Sequence, residues 1–524
     1  MNSCNLRLLL LAGAILTGSA HADEIGWTGT LGLNLGQGEI RNSQNDLLDR
    51  EYREAILDTD LSWKQFRLNT ALAWQSPSEF PDTRTIDSTL IRKASLLRAS
   101  LEWQGPVLLR AGTISTTFGR GMSLSLYRDE QLQNPLLDKI EREDTPTTWD
   151  SSVQGGYLEY LGETVALKAV AGHSDYYGNL LGINPEFTRD RTTLGLAWNT
   201  VDDVVIDAET DALNQDVENR ELYLSQYLGN WDFFVSHLEQ VVPAGEARVA
   251  GKGGVATYAA VGTQLLDWSV RAEYKYYRLT SEKLRFNNPP IVQQEIPSRL
   301  IARKRKRFNH FDDEVGFQLE LQRLFRNEME VFFSAAQTSR MDPESSSATL
   351  LPELKEVRDA YQEYTANWQW TMPSAKHVML GLAWAEESEA RVDAPSILYR
   401  NMGLSGSLYT PLPLVRGLEL NAEYLSREAV YDKHTQDLAL LWMDIFPLPD
   451  LSFNLTADFE HHSDTNEDWM GSTEARYDFA TPGDLHHSLT VFAGRLRGGL
   501  VCSSGNCRIV APFRGAKLQY TLQF

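Results

Sequence analysis

Gly515-Ala516-Lys517-Leu518-Gln519-Tyr520-Thr521-Leu522-Gln523-Phe524 ends the chain. Counting back from Phe524, the positions Leu522, Tyr520, Leu518 and Ala516 are apolar or small, while Gln523, Thr521, Gln519 and Lys517 between them are polar. Successive side chains of a strand point to opposite faces, so this segment predicts a strand with one oily face and one wet face. A strand with lipid on one side and a watery lumen on the other has this pattern. The terminal Phe524, with Leu518, Tyr520 and Leu522, also resembles the signal by which bacterial assembly machinery recognises outer-membrane barrels. Half-buried strands of soluble sheets alternate too, so the rest of the chain has to decide.

The same alternation recurs along the chain. Leu451, Phe453, Leu455, Ala457 and Phe459 oppose Ser452, Asn454, Thr456, Asp458 and Glu460. Leu418, Leu420, Ala422 and Tyr424 oppose Glu419, Asn421 and Glu423, and Val315, Phe317, Leu319 and Leu321 oppose Glu314, Gln318, Glu320 and Gln322. Tyr364, Ala366, Trp368 and Trp370 oppose Glu363, Thr365, Asn367 and Gln369. Carboxylates rarely sit buried, so the second faces must meet water, and a sheet wrapped round a wet lumen with its back to lipid satisfies both faces. The 13 tryptophans suit the aromatic girdles of such a wall.

Connection lengths give an independent signal. Tight turns are expected at Lys64-Gln65, Gln104-Gly105, Gly162-Glu163, Gly229-Asn230, Leu266-Asp267, Arg323-Leu324, Pro373-Ser374, Pro411 to Pro413, Pro447 to Pro449 and Pro482-Gly483. Longer polar stretches lie between them, at 37–52, 76–93, 242–253, 282–307 and 339–356. Short periplasmic turns and long extracellular loops are the barrel arrangement. Consistent strand directions then require an extra strand at Asp203 to Asp211, despite its acidic content. The expected fold class is all-β: a single large transmembrane antiparallel β-barrel of about 24 strands, an even number with both termini in the periplasm. About 24 strands at the usual spacing and tilt enclose a wall roughly 45 Å across, and barrels of that size hold something in the lumen.

Residues 1–22 read as a secretory signal peptide, with Arg7, the apolar run Leu8 to Leu16, and Ala20-His21-Ala22 as the cleavage pattern, leaving a barrel over 23–524. The first strand (Trp27, Gly29, Leu31, Leu33, Leu35) starts so soon afterwards that a separate plug domain is not expected. A lumen-occluding loop is expected instead at 115–150, where Phe118-Gly119-Arg120-Gly121 permits a sharp bend. Arg120 and Arg128 in it are expected to dock on inward carboxylates. An ordinary extracellular loop is the plainer alternative. The loop at 282–307, carrying Arg303 to Arg307, is a second inward candidate, or else a solvated loop near lipopolysaccharide. In an exported chain this basic run does not indicate nucleic acid.

Net charge is −22, and Glu314, Glu320, Glu328, Glu330, Glu363, Glu419, Glu423, Asp458 and Glu460 are placed on inward faces. Acidic rings favour cations, so a weak cation preference is expected. Cys502 and Cys507 flank a turn-like Ser503-Ser504-Gly505-Asn506 and suit a disulfide in an oxidising compartment; a metal pair would need further ligands that are not nearby. His173-Ser174-Asp175 and His461-His462-Ser463-Asp464 lie at strand ends, where barrel enzymes hold catalytic groups. Neighbours on a strand face opposite ways, though, and cannot form a triad among themselves. No catalytic residues, metal or cofactor are expected.

Two places resemble a known family. Leu109-Arg110-Ala111-Gly112, then Phe118-Gly119-Arg120-Gly121 and Leu124 to Asp129, is similar to one of its motifs. Arg497 to Cys502, Gly505-Asn506-Cys507-Arg508 and Pro512 to Phe524 resemble its C-terminal signature. The family comprises outer-membrane barrel proteins of Gram-negative bacteria with no assigned function. The resemblance implies the fold, the outer membrane and the cysteine pair, and it suggests that the FGRG segment is a shared feature of the lumen. The expected partners are outer-membrane lipid and lipopolysaccharide, the barrel-assembly machinery, and an unidentified periplasmic protein. The expected activity is transport of solutes, with a non-conducting scaffold and an outer-leaflet enzyme as alternatives.

Overall fold

The computed structural model describes residues 25–41, 47–76, 94–126, 153–174, 178–205, 214–241, 254–279, 300, 313–341, 350–352, 359–389, 397–431, 433–462, 468–483, 485–496, 499–503, 506–510 and 513–524. Its main sheet has 24 strands, each antiparallel to its neighbours in the chain. The sheet closes because the first strand, Ile25–Arg41, pairs with both Leu47–Trp63 and the last strand, Phe513–Gln523. Two short hairpins stand apart from this wall: Thr116–Thr117 with Ser125–Leu126, and Gly499–Ser503 with Asn506–Val510.

Alternation along each strand sorts the side chains as the sequence predicts. On Asn214–Leu228, Leu222 is half exposed to the outside, while its neighbours Glu221 and Tyr223 are buried on the inner face. Leu319, Leu382, Leu404, Leu420 and Leu455 are likewise exposed outward on other strands. An apolar belt running round the whole wall would be insoluble in water, and it fits hydrocarbon. Near the short turns the belt becomes aromatic. Trp63 stacks on Phe66 at 6.1 Å, Trp231 on Phe233 at 6.0 Å and Tyr477 on Phe479 at 5.3 Å. These rings form the interfacial girdle on that side.

The short turns use residues that tolerate positive φ. Leu266 and Asp267 have φ of 51° and 67°, the pattern of a two-residue turn whose twist matches its strands. One turn escapes the sequence reading. Gly178–Arg189 runs down to Asp190-Arg191 and returns as Thr192–Val205, with Asp190 at φ 55°. The expected strand at Asp203 to Asp211 is not found between its neighbours: Thr192–Val205 pairs directly with Asn214–Leu228. Asp203 to Val205 end the former, past an irregularity between Val201 and Val204, while 206–211 lie outside the described residues. The remaining strand of the 24 is Gly178–Arg189. A further correction concerns 37–52, expected as a loop, where the first hairpin instead stays paired as far as Arg41 opposite Leu47. The turn expected at Arg323-Leu324 lies slightly later, over 325–328.

The closing seam is built from backbone and rings together. Leu31, Leu33 and Leu35 face Leu522, Tyr520 and Leu518 in register. Beyond the last paired strand residue, the Phe524 N–H donates to the Gly29 carbonyl at 3.0 Å, and the Gly29 N–H to the Phe524 carbonyl at 2.8 Å. The Phe524 ring meets Trp27 edge-on at 4.9 Å. Phe524 is thus the last rung of the closing ladder. The hairpin before the final strand brings Cys502 and Cys507 opposite each other in register.

Removing the ring while keeping the strand tests the seam. Phe524→Ala and Trp27→Ala should each lower the stability of the folded barrel by about 1 kcal/mol, the size of an aromatic pair contribution. The double variant should cost less than the sum, because both delete one contact. The midpoint of unfolding in urea, followed by the heat-modifiable gel shift, reads this; additive losses would show that the pair does not hold the seam.

Candidate functional site on the inner wall

From the end of Leu108–Ile114 the chain leaves the wall and turns inward over 115–126. The turn is tight: the Phe118 N–H donates to the Leu124 carbonyl at 3.0 Å and the Gly121 N–H to the Phe118 carbonyl at 2.8 Å. Gly119 and Gly121 sit at φ of 52° and 84°, in the left-handed region that glycine enters without strain. Phe118, Met122, Ser123 and Leu124 are fully buried although they belong to a loop. Phe118 packs with Val170, Leu180 and Ala197 on the inner wall, and Met122 with Tyr223, Phe234 and Tyr258. At Gly182 a Cβ would come within 2.9 Å of the Phe118 ring, so the wall leaves a place for this side chain.

Apolar packing alone would let the segment slide; a polar latch fixes its position. The Ser123 N–H donates to Glu221 Oε2 at 3.1 Å, the Ser123 hydroxyl bonds the same oxygen, and the Ser236 hydroxyl donates to Glu221 Oε1 at 2.6 Å. On the other side, the Asn199 and Asn219 amides donate to the Ser123 carbonyl at 3.0 and 3.3 Å. Gln240 in turn donates to Asn219 at 3.1 Å. Each of these groups is buried and each has a partner, which is the condition for a buried polar cluster to hold rather than loosen a structure. Beside it, Asn184 donates to the Tyr223 hydroxyl at 2.9 Å, and that hydroxyl also meets Glu186.

Among the described residues, Arg120 meets two aromatic rings and a hydroxyl rather than the carboxylate expected from the sequence. Its guanidinium stacks on the Phe234 ring at 3.9 Å, lies 5.6 Å from the Tyr258 ring and donates to the Tyr258 hydroxyl at 3.3 Å. The Glu221 carboxylate beside the segment is engaged by Ser123 and Ser236 instead. Arg128 and residues 127–150 of the expected loop lie outside the described residues.

The expected inward carboxylates separate into groups. Glu314 is fully buried against Lys275, and Glu320 bonds Gln318. Glu330 accepts from Gln322 at 2.6 Å and from Gln369 at 2.5 Å, and Glu419 accepts from Asn421 at 3.3 Å. Glu363 and Asp458 are buried, Glu363 beside the Tyr361 hydroxyl, while Glu460 meets His462 at 2.8 Å. Glu328 is a correction. It lies exposed in the turn 325–328, at φ 57°, because the strand ends at Leu324 and its alternation no longer applies. Glu423 accepts from the Leu300 N–H at 2.8 Å, and Leu300 packs on Leu425, Leu438 and Leu440 of the inner wall. One residue of the second candidate loop is thus seated inside the barrel; Arg303 to Arg307 lie outside the described residues.

Among the described residues the histidines at strand ends do not converge; Asp175, Ser463 and Asp464 lie outside the described residues. His173 bonds Asn179 at 3.2 Å, and His461 and His462 belong to opposite faces of one strand. Among the described residues no group of three His, Cys, Asp or Glu side chains is placed to hold a metal. Ser123, Asn199, Asn219, Glu221 and Ser236 carry no motif in the sequence. Alternation assigns Asn219 and Glu221 to the inner face, but nothing local says that a loop about a hundred residues earlier lands on them.

No family model and no curated protein matches the chain. Solved structures do. The P pilus usher translocation pore PapC is 13% identical over 95% of this chain and 98% of its own, with a TM-score of 0.45. The copper transporter OprC is 9% identical over 96% and 80%, also at 0.45. OpdO of Pseudomonas aeruginosa is 11% identical over 76% and 97%, at 0.39. At these scores the likeness carries nothing about the contents or use of the lumen.

Ser123→Ala removes one charge-assisted hydrogen bond from a buried carboxylate, worth about 1.5–3 kcal/mol. Amide hydrogen exchange over 118–126 should quicken by about ten- to a hundredfold, while exchange in the strands Trp231–Val241 and Gly254–Leu265 stays the same. Unchanged exchange in the segment would mean that packing alone holds it.

Proposed function

We propose that the chain is a transport barrel of the bacterial outer membrane, exported with its N-terminal signal removed, whose lumen is partly occluded by the inward segment that begins at Ser115. The observation that carries this reading is the latch: a wall of 24 strands with a segment of its own chain fixed inside it. A barrel this wide with an apolar outer belt and a polar inner face is a water-filled path, and a wall-bound segment narrows such a path without sealing it.

The solutes are small and polar, with a weak general preference for cations. The support is the inner face of the strands from Glu314 to Glu460, which carries Glu320, Glu330 and Glu419 at inward positions. Such an array raises the local concentration of counter-ions. Oxidation of Cys502 and Cys507 to a disulfide belongs to the same reading, since the two residues are register partners and an exported chain passes through an oxidising compartment.

Planar-bilayer recording of the purified protein tests this. Stepwise currents are expected, larger after deletion of 117–148, with a reversal potential in a potassium chloride gradient that favours potassium. Glu320→Gln with Glu330→Gln should bring that potential closer to zero. If neither the full chain nor the deletion variant gives steps, the transport reading fails.

A further inference from the structure

Arginines on the inner wall are normally matched. Arg98 meets Asp58 at 2.6 Å, Arg110 meets Glu102 at 3.1 Å, Arg271 meets Glu273 at 2.5 Å and Arg427 meets Glu387 at 2.6 Å; Arg67 pairs with Asp60. Arg120 differs. Its contacts among the described residues are two aromatic rings and one neutral hydroxyl. A guanidinium carries five N–H donors in a planar fork and never loses its proton. Stacking fixes the plane of that fork but leaves its charge in place and most of its donors without an acceptor among the described residues.

The charge is also held rigidly. Arg120 is half-buried and lies three residues before Ser123, whose N–H, hydroxyl and carbonyl are all engaged by the wall. Phe234 and Tyr258, the platform beneath it, belong to strands of the wall itself. A cation held in place in this way loses little freedom when it receives an anion, and that saving is the usual source of affinity at such a point. A planar carboxylate matches the fork with two parallel hydrogen bonds.

We propose that Arg120 is a docking point inside the lumen for solutes bearing a carboxylate. A monoanion is favoured over a dianion by the surroundings. Glu273 and Arg271 lie against the same Tyr258 hydroxyl, and Glu320 faces Arg271 across the strand pair, so a second negative charge would meet carboxylates at short range. The weak cation preference of the lumen and a carboxylate site at Arg120 are compatible. The first is a field over the whole inner face, and the second is one contact with directed donors. The inference rests on the lumen being a solute path, yet the binding it predicts can be measured without any current.

Isothermal titration of the full chain, folded in detergent micelles at low ionic strength, uses gluconate as the probe and inorganic phosphate as a second arm. Gluconate should bind saturably at one site. Arg120→Gln should weaken it at least tenfold, and Arg120→Lys, which keeps the charge and loses the fork, should fall between. Phe234→Leu, which removes the stacking platform, should also weaken it, while Arg67→Gln, a change at an ion-paired arginine, should leave it unaltered. The heat-modifiable gel shift checks that each variant is folded. Equal affinity in Arg120→Gln and the native chain overturns the proposal, as does an equal loss in Arg67→Gln, which would mean a diffuse charge effect. Phosphate binding more tightly than gluconate overturns the assignment to carboxylates. Binding without conductance would sink the transport reading and leave the site standing, and conductance without binding would do the reverse.

Discussion

A strand facing hydrocarbon has no water to satisfy its backbone, so each N–H and carbonyl in the belt must find a partner in the neighbouring strand. That constraint makes closure obligatory. Here the last rung falls where Phe524 exchanges both backbone bonds with Gly29 and seats its ring against Trp27. The paired lengths, the register round the wall and the outward belt all depend on this ladder having no open edge. An error of one residue at the seam would turn Leu518, Tyr520 and Leu522 toward water.

Closure by 24 strands has a cost of its own, since the cylinder is too wide for wall side chains to meet across it. The interior is therefore not a protein core in the usual sense. Buried apolar residues form where the chain folds back against its own wall, as Phe118 and Met122 do on one side and Leu300 on another. Packing against a smooth sheet gives little positional specificity. The segment gains it from a carboxylate that accepts three hydrogen bonds from Ser123 and Ser236 and from two amides that reach the Ser123 carbonyl. Fully partnered polar groups act here as a register device.

The wall was legible in the sequence because its signal is local. A period of two is visible within any eight residues, and the closing partner of the last strand follows from counting strands. The errors came where the local signal is ambiguous. Arg189-Asp190-Arg191 has neither glycine nor proline, yet Asp190 takes positive φ and makes a tight turn. Without that turn, consistent strand directions demand a strand at Asp203 to Asp211 in place of Gly178–Arg189, so the count stays at 24. Glu328 lies past the end of its strand at Leu324, where alternation no longer sets a face. The inward bend at 118–121 was visible in its glycines, but its landing site was not. Glu221 and Tyr258 are about 100 and 140 residues downstream, and their meeting with Ser123 and Arg120 is a property of the closed wall.

The same meeting explains why the arginine expectation failed in an informative way. An ion pair and a ring stack both anchor a guanidinium, and they differ in what they leave behind. Pairing Arg98 with Asp58, or Arg110 with Glu102, cancels charge and turns both groups into wall. Stacking Arg120 on Phe234 fixes its plane and, among the described residues, pairs it with no opposite charge. In a chain of net charge −22, where carboxylates on the inner face are plentiful, Glu221 beside the segment is engaged by the latch. The bonds that hold the segment in place are thus bonds that Glu221 makes to Ser123 and Ser236, while its arginine rests on aromatic rings.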